Sequence, residues 1–210
     1  DGCTMLPAVY SDGRAYDRNI KSITYYKNGQ FIIGYPIKNN SEDSELFEGV
    51  TLDTANKEYL SYTTAKVVDG KFVINNSKND VFRVSFAKGS TGQDIGYDAN
   101  CGLFIARWLG GAKNSIIWVR LNSLSGENRI YESDNSKYRI IKLNKSSNVF
   151  QTYELESVSI GSDNCMYANV NVKVTDSDKY SKYAKDAIIK IERPEEAGGS
   201  TNFLGSYFTQ

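Results

Sequence analysis

Two dipeptides constrain this chain more than any other feature. Asn28-Gly29 stands between Ile20 to Lys27 (IKSITYYK) and Gln30 to Tyr35 (QFIIGY), and Asp69-Gly70 stands between Thr63 to Val68 and Lys71 to Ile74. A two-residue hairpin turn of type I′ needs φ > 0 at both central positions, and Asn-Gly and Asp-Gly tolerate that best. Flanked by β-branched and aromatic runs, each dipeptide predicts an antiparallel hairpin. The two hairpins resemble each other (NGQFII and DGKFVI). Their flanking residues do not match, so the likeness reads as shared turn chemistry and not as a repeat.

The rest of the chain continues in the same style. Val81 to Phe86, Arg129 to Glu132, Tyr138 to Leu143, Val149 to Ile160, Met166 to Val174 and Ala187 to Ile191 read as strands. In Met166 to Val174 the valines 170, 172 and 174 share one face. Gly102 to Trp108 (GLFIARW) and Ser115 to Leu121 (SIIWVRL) are almost continuously apolar, which predicts central strands covered on both faces, with Trp108 and Trp118 in the core. Helix signals are weak: Ser177 to Lys185 and Leu52 to Leu60 are the candidates, and neither carries a long apolar stripe. Loops are expected at Lys38 to Glu45, Asn75 to Asp80, Ala87 to Asn100, Asn122 to Asn128 and Asn144 to Asn148. The expected fold is all-β, an antiparallel β-sandwich or barrel of roughly ten short strands with little helix; a mixed α+β fold is the rival. No composition shift divides residues 1–192, so one domain is expected there. Residues 193–210 then form a linker (RPEEAGGS) and a C-terminal arm or last strand (TNFLGSYFTQ).

Composition narrows the chemistry. Among 210 residues, 25 basic and 25 acidic side chains cancel. A general nucleic-acid binder would carry a basic surplus to neutralise phosphates, so none is expected as partner. Histidine is absent, which removes imidazole-activated serine or cysteine nucleophiles and HExxH zinc sites. No run of 18 apolar residues is present for a spanning helix. The chain starts at Asp1 without Met, which reads as a processed or trimmed piece. Cys3, Cys101 and Cys165 form no CxxC pair, so a structural zinc site is not expected. A Cys101–Cys165 disulfide with Cys3 left over is one reading, for an exported chain, and three reduced thiols is the other. Gly2-Cys3 resembles the end of a bacterial lipobox, although Asp1 fits that pattern poorly; lipidation of Cys3 would be the one route to a membrane surface.

Asp and Asn pairs invite a calcium reading at Asp12 and Asp17, Asp134 and Asn135, and Asp176 and Asp178. Calcium needs six to eight oxygens and no segment matches an EF-hand loop, so turns that hydrogen-bond their own backbone are the better reading. No cofactor is expected. Glu154 and Glu156 read as solvent-facing alternation. The segment Gly89 to Gly102 (GSTGQDIGYDANCG) is the most unusual, with five glycines that fit no phosphate-loop spacing. It reads as a long loop, and Asp94, Tyr97 and Asp98 are the candidate ligand-binding residues: two hydrogen-bond acceptors and a stacking ring.

The 15 tyrosines, nine phenylalanines and two tryptophans support binding, because Tyr offers contact area at low entropy cost. The expected function is a non-catalytic binding module, secreted, periplasmic or at a cell surface, that recognises a glycan or a protein partner through loops and exposed aromatics. The alternative is a structural subunit of a surface, secretion or viral assembly, self-associating through residues 197–210 by strand addition. A carboxylate-based enzyme is the third reading, and nothing in the sequence demands it.

Overall fold

The computed structural model describes residues 4–36, 57–76, 82–87, 91–99, 102–108, 114–120, 129–130, 138–143, 150–163, 165–183, 186–191 and 199–201. The fold is all-β. The strands are β1 (Ala8–Tyr10), β2 (Ser22–Tyr25), β3 (Gln30–Pro36), β4 (Lys57–Val68), β5 (Lys71–Ile74), β6 (Phe82–Ala87), β7 (Thr91–Asp98), β8 (Gly102–Trp108), β9 (Asn114–Arg120), β10 (Arg129–Ile130), β11 (Tyr138–Leu143), β12 (Phe150–Ile160), β13 (Met166–Val174), β14 (Asp186–Ile191) and β15 (Gly199–Thr201). One short helix, α1 (Ser177–Tyr180), continues into a 3₁₀ turn at Ser181–Tyr183. Contacts group the chain into two compact units, Asp1–Lys88 with Leu124–Ser133, and Gly89–Ser123 with Asp134–Gln210. The expected loops at 38–45, 122–128 and 144–148 lie outside the described residues.

The first unit is one sheet in the order β1-β5-β4-β3-β2, with β6 also paired to β4 and β10 to β6. Both expected hairpins are present, and their turns have the required backbone: φ is 51° at Asn28 and 72° at Gly29, 48° at Asp69 and 72° at Gly70. Strand β4 corrects an expectation. Lys57 to Leu60, at the end of the proposed Leu52 to Leu60 helix, are extended and pair with β6, from Lys57 opposite Ala87 to Leu60 opposite Val84. A strand of 12 residues has two lateral neighbours, and the ladder bonds to β3 and β6 outweigh weak local helix propensity. On one face of this sheet Ile33, Tyr35, Ala65 and Ile74 form the core, with Ala8, Tyr10, Tyr16 and Phe72 packed against it.

The second unit holds two sheets, β15-β11-β9-β8-β7 and β12-β13-β14. Over their described part the apolar runs are buried on both faces: the side chains from Leu103 to Arg107 and from Asn114 to Ile117 are all buried, while the expected burial of Trp108 and Trp118 lies outside the described side chains. Along β13, Met166, Ala168, Val170, Val172 and Val174 are buried and turn one face inward. Strand β12 packs against β7 and β8. It bends to do so, with register shifts between Phe150 and Thr152 and between Leu155 and Ser157. The backbone N–H of Leu155, beside the second shift, donates to Asn114 Oδ1 at 2.8 Å, so a buried amide that the ladder leaves over is satisfied from β9.

Most pairings are antiparallel, and three short ones are parallel: β1 with β5, β10 with β6, and β15 with β11. Strand β15 spans the end of the expected linker and the first residue of the expected arm, and it pairs with the edge of β11, from Gly199 opposite Ile141 to Thr201 opposite Leu143.

Candidate functional site

Within the segment expected as a loop, residues 91–98 are a strand, β7, paired to β8; residues 89, 90, 100 and 101 lie outside the described residues. Gly96, which read as a loop residue, serves close backbone packing. A Cβ on Gly96 would stand 2.6 Å from the carbonyl oxygen of Val158 on β12. The register steps by one between Gly92 and Ile95, so Gln93 and Asp94 form a bulge. Gln93 Nε2 donates to Glu154 Oε1; Glu154 is therefore engaged by a neighbouring strand. Successive strand residues face opposite ways, so Tyr97 and Asp98 lie on opposite faces of β7, and the three candidate residues are not brought together around one point. All three are half-buried.

Burial raises the Asp94 carboxyl above its ordinary value, and a hydrogen bond from the Ile95 backbone opposes that in part. A carboxyl whose pKa is higher folded than unfolded binds its proton more tightly in the native state, so stability falls as pH rises through that window. Asp94→Asn removes the charge and keeps an acceptor oxygen. It is expected to raise the melting temperature at pH 7, and the gain should shrink to nothing as pH falls below the ordinary carboxylate range. Melting curves of both proteins across that range check it.

One aspartate of each described pair is committed to a turn. Asp176 caps α1, accepting from the N–H groups of Asp178 (3.1 Å) and Lys179 (3.0 Å). Asp12 accepts from the backbone and the guanidinium of Arg14 and from Asn76. Among the described residues no group of three or more Asp, Glu or Cys side chains could hold a metal ion. Asp134 and Asn135 lie outside them.

Cys165 is a free thiol; Cys3 and Cys101 lie outside the described residues. Cys165 sits in the β12–β13 hairpin with Asp163, Tyr167 and Lys190. Tyr167 donates its hydroxyl to Asp163 Oδ2 at 2.8 Å, and Lys190 Nζ lies 3.2 Å from the same oxygen. The Tyr167 and Lys190 contacts, with the Cys165 backbone N–H, hold the Asp163 carboxyl far below the usual range. The Cys165 thiol is pushed up, by desolvation first and then by Asp163, which lowers its thiolate fraction. This group is a surface brace for the hairpin.

A different feature of the first unit has the character of a contact surface. On the apolar face of its sheet, Tyr25, Ile23 and Val67 expose 58%, 48% and 51% of their surface. Between them lie half-buried Phe31 and Phe72, with ring centroids 6.1 Å apart, and Tyr25 meets Phe31 edge-on at 6.0 Å. The pairing registers place Tyr25 opposite Phe31, Phe31 opposite Ala65, and Val67 opposite Phe72, so these side chains share one face near the two hairpin turns. Leu6 and Met5 are also exposed, just before Pro7, whose carbonyl accepts from the Phe72 N–H.

The opposite end of the same face is closed. Tyr16 stands edge-on to Tyr10 and Tyr35, at 5.2 and 6.3 Å. The Arg18 side chain is only 7% exposed; its guanidinium lies 5.5 Å from the Tyr35 ring and donates to the Tyr10 hydroxyl at 3.1 Å. Burial raises the Tyr16 phenol well beyond its ordinary value. One apolar face thus has a sealed end and an open end. Sequence reading missed the open end, since Ile23, Tyr25 and Val67 look like ordinary strand residues. The usable signal is that both turns lie at one end, leaving the residues beside them on a sheet margin.

Comparison with models of protein families, with curated proteins and with solved structures finds no match for this chain. Among the described residues no helix is long and apolar enough to cross a membrane.

Proposed function

We propose that the protein is a non-catalytic binding module that meets a protein partner through the open end of the apolar face in its first unit. The observation that carries this reading is the cluster of exposed Ile23, Tyr25 and Val67 around the Phe31 and Phe72 rings. A contiguous exposed apolar patch marks an interaction surface. Between the two partner classes expected from the sequence, the rings favour protein. Tyr25 and Phe31 stand nearly perpendicular, at 86°, and Phe31 and Phe72 at 54°; they offer no shared plane on which a sugar ring could stack. Such a surface fits a chain that works at a cell surface, in the periplasm or in the secreted space.

Protein and glycan arrays probed with the wild type and with an Ile23→Asp, Tyr25→Asp, Val67→Asp variant test the reading. All three positions are exposed, so the variant should fold. Protein-array signals of the wild type should weaken by at least about tenfold, since the substitutions replace buried apolar area with charge. Glycan signals that survive the substitutions, with no protein signal, would overturn it.

A further inference from the structure

We infer that the outer edge of β2 takes an extended segment of the partner as an added strand, one that alternates apolar side chains and carries carboxylates at its two ends. This rests on the reading of the open face as a protein-binding surface and names the chemistry of its partner.

Three observations carry it. First, β2 is the last strand of its sheet, and among the described residues nothing pairs with its outer edge. The Tyr26 N–H donates inward to the Gln30 carbonyl. Peptide groups alternate in direction along an antiparallel strand, so the N–H and C=O groups of Ile23 and Tyr25 point to the open side. Their side chains are also exposed, at the margin of the apolar face. Ile23 and Tyr25 thus offer an incoming strand both ladder hydrogen bonds and apolar contact.

Second, the strand lacks the devices that keep sheet edges apart. Guarded edges carry charge or proline within the strand, and β2 reads SITY. On its other face Ser22 is buried and Thr24 half-buried, beside the buried side chains of Ile32 and Tyr62.

Third, the charge stands at the two ends. Exposed Lys21 directly precedes the strand, and exposed Lys27 stands two residues beyond it. Among the described residues neither has a carboxylate partner. Asp17 accepts from the Tyr10 hydroxyl, and Asp69 lies in the other hairpin turn. Extended, the stretch from Lys21 to Lys27 spans about 20 Å. Two cations framing an uncharged strand select a partner strand framed by two carboxylates and repel one framed by lysines.

The fluorescein-labelled heptapeptide ETITVTE is the probe. In antiparallel register its isoleucine and valine lie opposite Tyr25 and Ile23, which makes favourable aromatic and β-branched cross-strand pairs. Titrated into the full chain, it should bind at least about tenfold more tightly than KTITVTK, which reverses the end charges. A copy N-methylated at the isoleucine and valine amides keeps the side chains but loses two ladder donors, and it should weaken by at least about as much. With ETITVTE bound, hydrogen exchange at the Ile23 and Tyr25 amides should slow at least about tenfold, while Thr24 is unchanged. A Lys21→Glu, Lys27→Glu variant, altered at exposed positions, should prefer KTITVTK. Equal binding of the three peptides, or none, overturns the inference. So do Ile23 and Tyr25 amides that are already protected without peptide, which would mean that the chain itself or a second copy covers the edge. If array signals that depend on Ile23, Tyr25 and Val67 persist after such a failure, the binding-surface reading survives; if they too are absent, both fall.

Discussion

Gly96→Val is expected to destabilise the second unit by about 3 kcal/mol, the upper end of the usual cost of forcing bulk into a packed site. The obstacle is main chain. The new Cβ would stand 2.6 Å from the Val158 carbonyl oxygen and 3.2 Å from the Ser159 Cα, and neither can rotate away as a side chain could. Relief requires β12 to move off β7. That movement would expose Leu155 and Val158, which are buried, and disturb the buried Leu155–Asn114 hydrogen bond. Backbone strain is not the cause, because Gly96 is not among the glycines with positive φ. Denaturant unfolding with hydrogen exchange checks this: the midpoint should fall and protection should drop first in β7, β8 and β12. An unchanged midpoint would mean that the two strands are not in contact as described.

In the first unit the largest loss is expected from Tyr62→Ala, about 4 kcal/mol by analogy with other large aromatic truncations. Tyr62 is 1% exposed and pairs laterally with Gly34. Gly34 and Tyr62 are a matched pair, since any side chain on Gly34 would press into the ring at 2.7 Å and onto Ser22 Oγ at 2.6 Å. Gly34→Ala should therefore be costly in the wild type and markedly cheaper in the Tyr62→Ala background. A double-mutant cycle by chemical denaturation should return a coupling of at least about 1 kcal/mol. Additive effects would sink the pairing.

The parts of the fold legible in the sequence are those governed by neighbours along the chain. Asn28-Gly29 and Asp69-Gly70 announce turns because φ > 0 is a local requirement, and both turns have it. Gly102–Trp108, Tyr138–Leu143 and Met166–Val174 begin and end where the residue pattern says, and the burial of Leu103 to Arg107 and of Asn114 to Ile117 on both faces follows from nearly continuous apolar runs. The beginning of β4 and the whole of β7 were not legible. Lys57 to Leu60 are extended because β6 pairs with them. Thr91 to Asp98 look like a loop because glycine is a poor strand residue by itself, and they form a strand because β8 pairs with them and β12 approaches from above.

The candidate site shows the same division. The sequence by itself determined that the chain is built of strands, where its hairpins turn and which residues could line a core. It also excluded imidazole chemistry, because no histidine is present. It could not separate Tyr62, which is buried, from Tyr25, which is exposed, since both are tyrosines in strands beside threonines. Only the tertiary structure decided that, along with the dispersal of Asp94, Tyr97 and Asp98 over two faces of β7. The physical reason is that a strand's period of two assigns each residue to a face, whereas what covers that face comes from segments far away in the chain.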